Sequence, residues 1–363
     1  MTDNPQSSRP ELVACIADEI RARGPMTFAH FMELALYHPR FGYYTSGAER
    51  IGKAGDFFTS VSVGALFGKL LAKQFLQFRA ALGNLPEFEV VEFGGHRGQL
   101  RADVLACAPD LRYRLVEIGE PLPEAIIGCV LSNEFLDALP VHRVRAVNGE
   151  WREIYVSLNH CHSDPAKRGK ESRARDVAKI LRFAQNDRQG KFVEILAPLS
   201  TPQLAEHLRD LPVREMEGCT TEINLRALNW LDDISRRLKR GFVMTIDYGF
   251  ERAEFFAPHR RDGTLQCYHR HTKNSDPYSR VGDQDITAHV EFTSFIERGK
   301  RAGLEPILFT DQSRYLLQLG ESEISEIVER TAGEFSKERA AIHQLTHPAL
   351  MGRAFKVLIQ KKV

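Results

Sequence analysis

Nowhere in the 363 residues do two cysteines stand at C-x-x-C spacing. The six present, Cys15, Cys107, Cys129, Cys161, Cys219 and Cys267, are scattered. That argues against a zinc knuckle or a disulfide framework and for reduced thiols. His160-Cys161-His162 has no second ligand cluster to complete a metal site, so a solvated loop is the better reading. An excess of either charge is missing too. Lys and Arg total 49 against 48 Asp and Glu, so no global field draws the chain to nucleic acid or an anionic membrane. There is no apolar run of membrane-spanning length. The opening MTDNPQSSRPEL lacks a basic-then-apolar signal, and Asp3 argues against a transit peptide, so a cytoplasmic protein is expected.

What is present suits a globular protein of one large domain or two ordinary ones, its core needing no staples. Leu12, Ile16 and Ile20 fall at helical spacing, and Gly24-Pro25 stops that helix. Thr27 offers an N-cap to a second amphipathic helix that Pro39 ends. A glycine- and aromatic-rich loop follows, then a helix over 62–79 with Leu66, Leu70 and Phe75 among its buried candidates. From residue 88 strands and helices alternate, the signature of a parallel sheet covered on both faces. EVVEF, YRLVEI (113–118), GCVLSNEF (128–135) and GFVMTIDYG (241–249) read as strands. LEPILF and RAFKVLIQ close the chain as strands flanking a helical stretch near 313–334, which suits an antiparallel edge. WREIYVSLN and KFVEILAP read as a hairpin interrupted by a basic, polar segment, expected to be a disordered insertion over 160–190. We therefore expect a helical N-terminal cap over 1–80 and an α/β, Rossmann-like domain over 81–363.

The stretch FEVVEFGGHRGQL (88–100) puts an acid, Glu92, near the end of a strand and Gly94, Gly95 and Gly98 in the turn that follows. Glycines permit close backbone approach, and the helix start supplies N–H groups, so the turn suits a nucleoside. Tight strand-to-helix turns need glycine for steric reasons as well. Glu117, about 20 residues on, stands where an acid binds ribose hydroxyls. His96 places a Cβ and an imidazole where a third glycine would leave the backbone bare.

GKAGDFFTSVSVGALFG, LSNEFLDALPVHR, VMTIDYG, GTLQCYHRHTKNSDPYSRVGDQDITAHVEF and MGRAFKVLI occur in this order. Together they resemble the MidA-like S-adenosylmethionine-dependent methyltransferases, related to the arginine-methylating assembly factor of mitochondrial complex I. The resemblance runs from about Met26 to the C-terminus. It implies a class I methyltransferase fold, a mostly parallel seven-stranded sheet with S-adenosyl-L-methionine at its C-terminal edge. It implies a protein acceptor methylated on an arginine side chain, a respiratory-complex subunit being one candidate. Two departures fall on the cofactor half: Gly95 and His96 replace the proline and glycine of the family's E-x-G-P-G-x-G, and the segment after Glu117 is short.

Asn133, Glu134 and Asp137 follow a strand, at the edge where open α/β sheets bind ligands. A carboxylate there can align a guanidinium through paired hydrogen bonds. Asp137 reads equally well as a helix-capping acid. By resemblance Gly55, Asp56 and Thr59 fold over the cofactor, although GDFFTS reads as readily as a capping motif. Asp247-Tyr248-Gly249 ends the plainest strand, and QDITAHVEF supplies Asp285, Thr287 and His289. His289 suits either substrate contact and proton transfer or a structural place. His269, Arg270 and His271 suit the mouth of a substrate pocket. The expected catalytic set is Glu134, Asp137 and His289, with Asn133 and the glycine turn on the cofactor. Two readings remain open: a methyltransferase, or a non-enzymatic binding or assembly factor with an altered cofactor loop. An NAD-dependent enzyme on the same turn is the weakest, because the other motifs point away from hydride chemistry.

Overall fold

The computed structural model describes residues 8–46, 59–159, 192–333 and 336–362. The expected insertion at 160–190 lies outside these, as do Gly55 and Asp56. The chain divides into two units, and not at residue 80. One comprises Met1–Arg50, Leu139–Arg226 and Phe256–Ala288; the other comprises Ile51–Ala138, Ala227–Phe255 and His289–Val363. The cap expected over 1–80 is therefore split. The helix Ala65–Ala81 puts Phe67, Leu70 and Phe75 into the core of the second unit, while the first two helices belong to the other.

In the first unit Thr27 caps the Phe28–Tyr37 helix by accepting the His30 N–H at 3.2 Å, as its position predicts. Glu150–Leu158 and Phe192–Ala197 do form a hairpin-like antiparallel pair. They belong to a five-stranded sheet with Met26–Thr27, His142–Val147 and Thr220–Ile223. Buried Arg143 anchors this sheet. It pairs with Glu194 and Glu222, and its guanidinium lies over the Phe28 ring at 5.0 Å. The YHRHT stretch is the tight turn between Gln266–His269 and Thr272–Asn274, with Arg270 and His271 both at positive φ.

The second unit holds the seven-stranded sheet. Its order is Glu305–Asp311, Phe355–Lys362, Leu238–Phe250, Ile126–Asn133, Glu89–Phe93, Arg112–Val116, with Val290–Glu291 added to the end of Leu238–Phe250. Four neighbouring strands run parallel, and Phe355–Lys362 is antiparallel to its neighbours. This is the mostly parallel sheet with an antiparallel closing strand that the alternation predicts. Both faces are covered, so Glu89–Phe93 is buried at every position. Val90, Leu131 and Met244 join the core containing Phe67 and Phe75, whereas Phe93 meets Trp230 edge-on at 5.3 Å.

Both sheet edges have local features. Between Val116 and Ile126 the chain makes only turns, so the sheet stops at Arg112–Val116, where Arg112 and Arg114 are exposed. The other edge shifts register between Pro306 and Leu308.

Phe242 in the central strand stacks on Phe78 of the covering helix, centroids 4.0 Å apart and planes 14° from parallel, both buried. Replacing Phe242 by alanine is expected to destabilise the protein by about 3–5 kcal/mol, read from denaturant unfolding.

Candidate active site

Strand register brings the nucleoside candidates together. Phe93 pairs with Val116 on one side and Ser132 on the other, so Gly94, Glu117 and Asn133 leave the sheet side by side. Gly94 and Gly98 take φ of 69° and 73°, and Gly98 precedes the Gln99–Cys107 helix. His96 takes φ of 49°, the conformation a glycine would adopt more cheaply, and its side chain lies at the surface. A Cβ at Gly94 would sit 2.7 Å from Phe135 Cδ2, and one at Gly95 2.7 Å from Leu115 Cδ2 and 2.8 Å from Glu92 Cδ, so the turn needs clearance at both glycines. Partial burial, then the neighbouring Arg97 charge, lowers the His96 pKa.

Glu92 lies beneath this turn. It is buried, accepts the Tyr113 hydroxyl at 2.9 Å, and is pushed up to about 7 chiefly by burial. It supports the loop from within. Glu117 is partly buried, which raises its pKa, while the His96 backbone N–H counters that rise. Its Oε1 is buried with no partner among the described residues, and so is Asn133 Oδ1. Two buried acceptors flanking a glycine turn leave hydrogen-bonding capacity that a nucleoside's hydroxyl or amino hydrogens would fill. Exposed Ile118 adds apolar surface beside Glu117. These residues fit an adenosyl ligand.

Glu134, the first residue after its strand, takes φ of 50° and ties its N–H to the Ile246 carbonyl at 2.9 Å. Its Oε1 accepts the Ser60 N–H at 2.9 Å and the Asn133 side-chain N–H at 3.2 Å. Oε2 receives no hydrogen bond from the described residues. Burial, with Asp247 adding repulsion, raises its pKa to about 8. Asp247 on the next strand is fully buried. It accepts the N–H groups of Leu136 at 2.9 Å, Phe135 at 3.2 Å and Tyr248 at 2.8 Å, and the Asp137 N–H also points at it. Burial raises Asp247 above the usual carboxylate range, but its backbone donors favour the charged form.

The other candidates divide. Asp137 is buried in the turn tied to Asp247, and no helix follows it to be capped. The Thr59 hydroxyl accepts the Ser62 N–H at 3.1 Å while Ser62 Oγ bonds the Thr59 carbonyl, so the capping reading describes its contacts. His289 stacks on Tyr248 at 6.0 Å and meets Phe250 edge-on at 5.1 Å, immediately before the Val290–Glu291 strand. Asp285 and His269 belong to the other unit, where Asp285 accepts the Tyr44 hydroxyl at 2.8 Å. Every described member of the expected site set lies in the second unit. Sequence reasoning missed Ser60 and did not give Asp247 its anchoring role. Ser60 acts through its backbone, which no residue pattern announces, whereas Asp247 was visible at a strand end.

A parallel sheet carrying a glycine turn, with an acid abreast of it after one neighbouring strand and a polar turn after the other, has the layout of a class I methyltransferase. The family model described as an S-adenosyl-L-methionine-dependent methyltransferase matches residues 112–310, over half the chain, and the protein belongs to that family. It is an S-adenosylmethionine-dependent methyltransferase, and S-adenosylmethionine is its cofactor. A Burkholderia thailandensis protein solved with S-adenosyl-homocysteine bound is 30% identical, with a TM-score of 0.81 over 97% of this chain and 92% of that one. The mouse protein arginine methyltransferase NDUFAF7, mitochondrial, is 26% identical over 93% of this chain and 81% of its own length. The Drosophila melanogaster homolog is 25% identical over 97% and 85%.

Two outcomes are expected here. In calorimetric titration with S-adenosyl-homocysteine, His96→Gly should bind within about threefold of the unaltered protein, because the imidazole is exposed and His96 already holds the positive φ that a glycine would adopt. Gly95→Ala should lose at least about tenfold in affinity, an overlap costing more than about 1.4 kcal/mol. The second concerns stability. Glu134 holds its proton more tightly folded than unfolded, so ionising it opposes folding. Its contribution is present below its ordinary value of 4.5 and is lost as pH rises to about 8. Melting curves should therefore show Glu134→Gln gaining stability over the unaltered protein across that window, with no gain in acid.

Proposed function

We propose that this enzyme methylates an arginine side chain of a protein acceptor. The observation that carries the reading is Glu134, a carboxyl held by two donors on one oxygen, with no donor on the other among the described residues, at the edge where the nucleoside candidates converge. When bound, S-adenosylmethionine supplies an electrophilic methyl group on a sulfonium centre. Gly95, Glu117 and Asn133 are the residues that would hold it. A guanidinium approaching Glu134 favours its ionised form, and the pair then fixes the direction of one nitrogen. Once ionised, Glu134 can accept at Oε2 the proton that this nitrogen loses as the methyl group bonds to it. Asp247 does not touch the acceptor in this reading; it holds the turn that aims Glu134. His289 is proposed to line the acceptor side through its packing on Tyr248.

The names of the arginine methyltransferase relatives support arginine as the target. A respiratory-complex subunit is the acceptor proposed first, on the resemblance of the sequence motifs. The cytoplasm is the proposed setting, on the scattered thiols.

The test combines purified enzyme, methyl-labelled S-adenosylmethionine and respiratory-complex subunits, with the modified residue located by mass spectrometry. Label on arginine is expected, with kcat at least about a hundredfold lower in Glu134→Gln and S-adenosyl-homocysteine affinity unchanged. Label on lysine or on a carboxylate instead would falsify the arginine assignment.

A further inference from the structure

Ser60 follows Thr59 at the start of the 3-10 turn Val61–Val63 and is fully buried. Its N–H donates to Glu134 Oε1, and its hydroxyl donates to Gln312 Oε1 at 3.2 Å while lying 3.9 Å from Met351 Sδ. Gln312, also fully buried, opens the helix Gln312–Leu319, which Asp311 caps by accepting the Arg314 N–H at 2.9 Å. The Gln312 Nε2 donates to the Leu345 carbonyl at 3.1 Å. A carbonyl only accepts, so this bond orients the amide and turns Oε1 towards Ser60. Ser60 is thus fixed by its side chain to one part of the second unit and presents its backbone to another.

We propose that Ser60 and Gln312 are positioning residues that act as one buried clamp, setting the direction of the Glu134 carboxylate. Neither touches the reacting atoms. The clamp deepens the reading of Glu134 as the acceptor-binding group and rests on that reading for its catalytic meaning, although its geometry does not. Glu134 sits at positive φ, where its backbone is intrinsically costly, so its direction must be imposed from outside. Its own neighbour Asn133 supplies one donor and Ser60 the other. Asp247 is the charged group that bears on it, whereas Gln312 and Met351 face Ser60 with uncharged atoms. Ser60→Ala keeps the N–H but lets the turn drift from the carboxylate. Losing the hydroxyl's hold should weaken a hydrogen bond that favours the charged form.

The readout is the titration of the Glu134 carboxyl carbon by NMR in glutamate-labelled protein, its resonance assigned by its disappearance in Glu134→Gln. Ser60→Ala and Gln312→Leu are each expected to weaken Glu134 as an acid by about tenfold in the acid constant. The double variant should be no weaker than the weaker single variant, because both remove the same clamp. With the acceptor assay, both singles should lower kcat while S-adenosyl-homocysteine affinity holds. An unchanged Glu134 titration in both singles overturns the proposal, and so does full additivity, which would make the two residues independent packing groups. If one variant fails to fold, the other alone decides through its titration. Failure of the arginine reading looks different: the titration shifts as expected, but Glu134→Gln leaves methyl transfer intact.

Discussion

The Asp247 carboxylate is the tie on which the candidate site depends. A turn leaving a parallel strand exposes N–H groups that no neighbouring strand can pair, and those of Phe135 and Leu136 would otherwise be buried unmet. Asp247, near the end of the adjacent strand, takes both and also its own neighbour's N–H. The turn is thereby locked to the sheet rather than to a following helix. That freedom from helical geometry lets Glu134 adopt its left-handed conformation and point where it does. The tie is also asymmetric in charge: a buried anion facing several backbone dipoles is stable without a cationic side chain beside it.

Acids accumulate at this edge. Glu92, Glu134 and Asp247 are all raised by burial, and Glu117 and Asp247 add repulsion to their neighbours. Such an arrangement is costly to the resting protein and favourable to a positively charged guest, a pattern that marks functional sites. The cofactor brings one cation, its sulfonium, to this edge, and in the proposed reaction a guanidinium adds a second. Acids of raised pKa would offset their mutual repulsion without holding full negative charge beforehand.

Much of this was legible in the residues, and the exceptions share a cause. The parallel sheet announced itself through buried runs such as EVVEF and VMTID, because strands covered on both faces need apolar residues throughout. Glu117 and Asn133 followed from strand ends alone. Thr27 and the 151–158 strand were equally plain. His142–Val147 and Thr220–Ile223 went unread, since HRVRAV and TTEI mix charge with apolar residues to serve a buried ion-paired sheet around Arg143. The boundary at residue 80 failed because helical periodicity shows which face is buried and not which sheet buries it. His96 misled for a related reason. The glycine pattern locates a turn but does not reveal which of its residues lack room, and room is short at Gly94, against Phe135, and at Gly95, against Leu115 and Glu92.

The open ends of the seven-stranded sheet bear on solubility. An open sheet presents unpaired backbone groups at its outer strands, a template for a second chain to add itself. Here the side left short after Glu117 ends in Arg112–Val116, whose exposed Arg112 and Arg114 would face like charges on any copy pairing there. The opposite side ends in Glu305–Asp311, where Pro306 lacks an N–H and the adjoining register shift breaks the ladder. The short segment after Glu117 thus does not leave a sticky margin; the exposed arginines of Arg112–Val116 discourage strand-by-strand association of the fold.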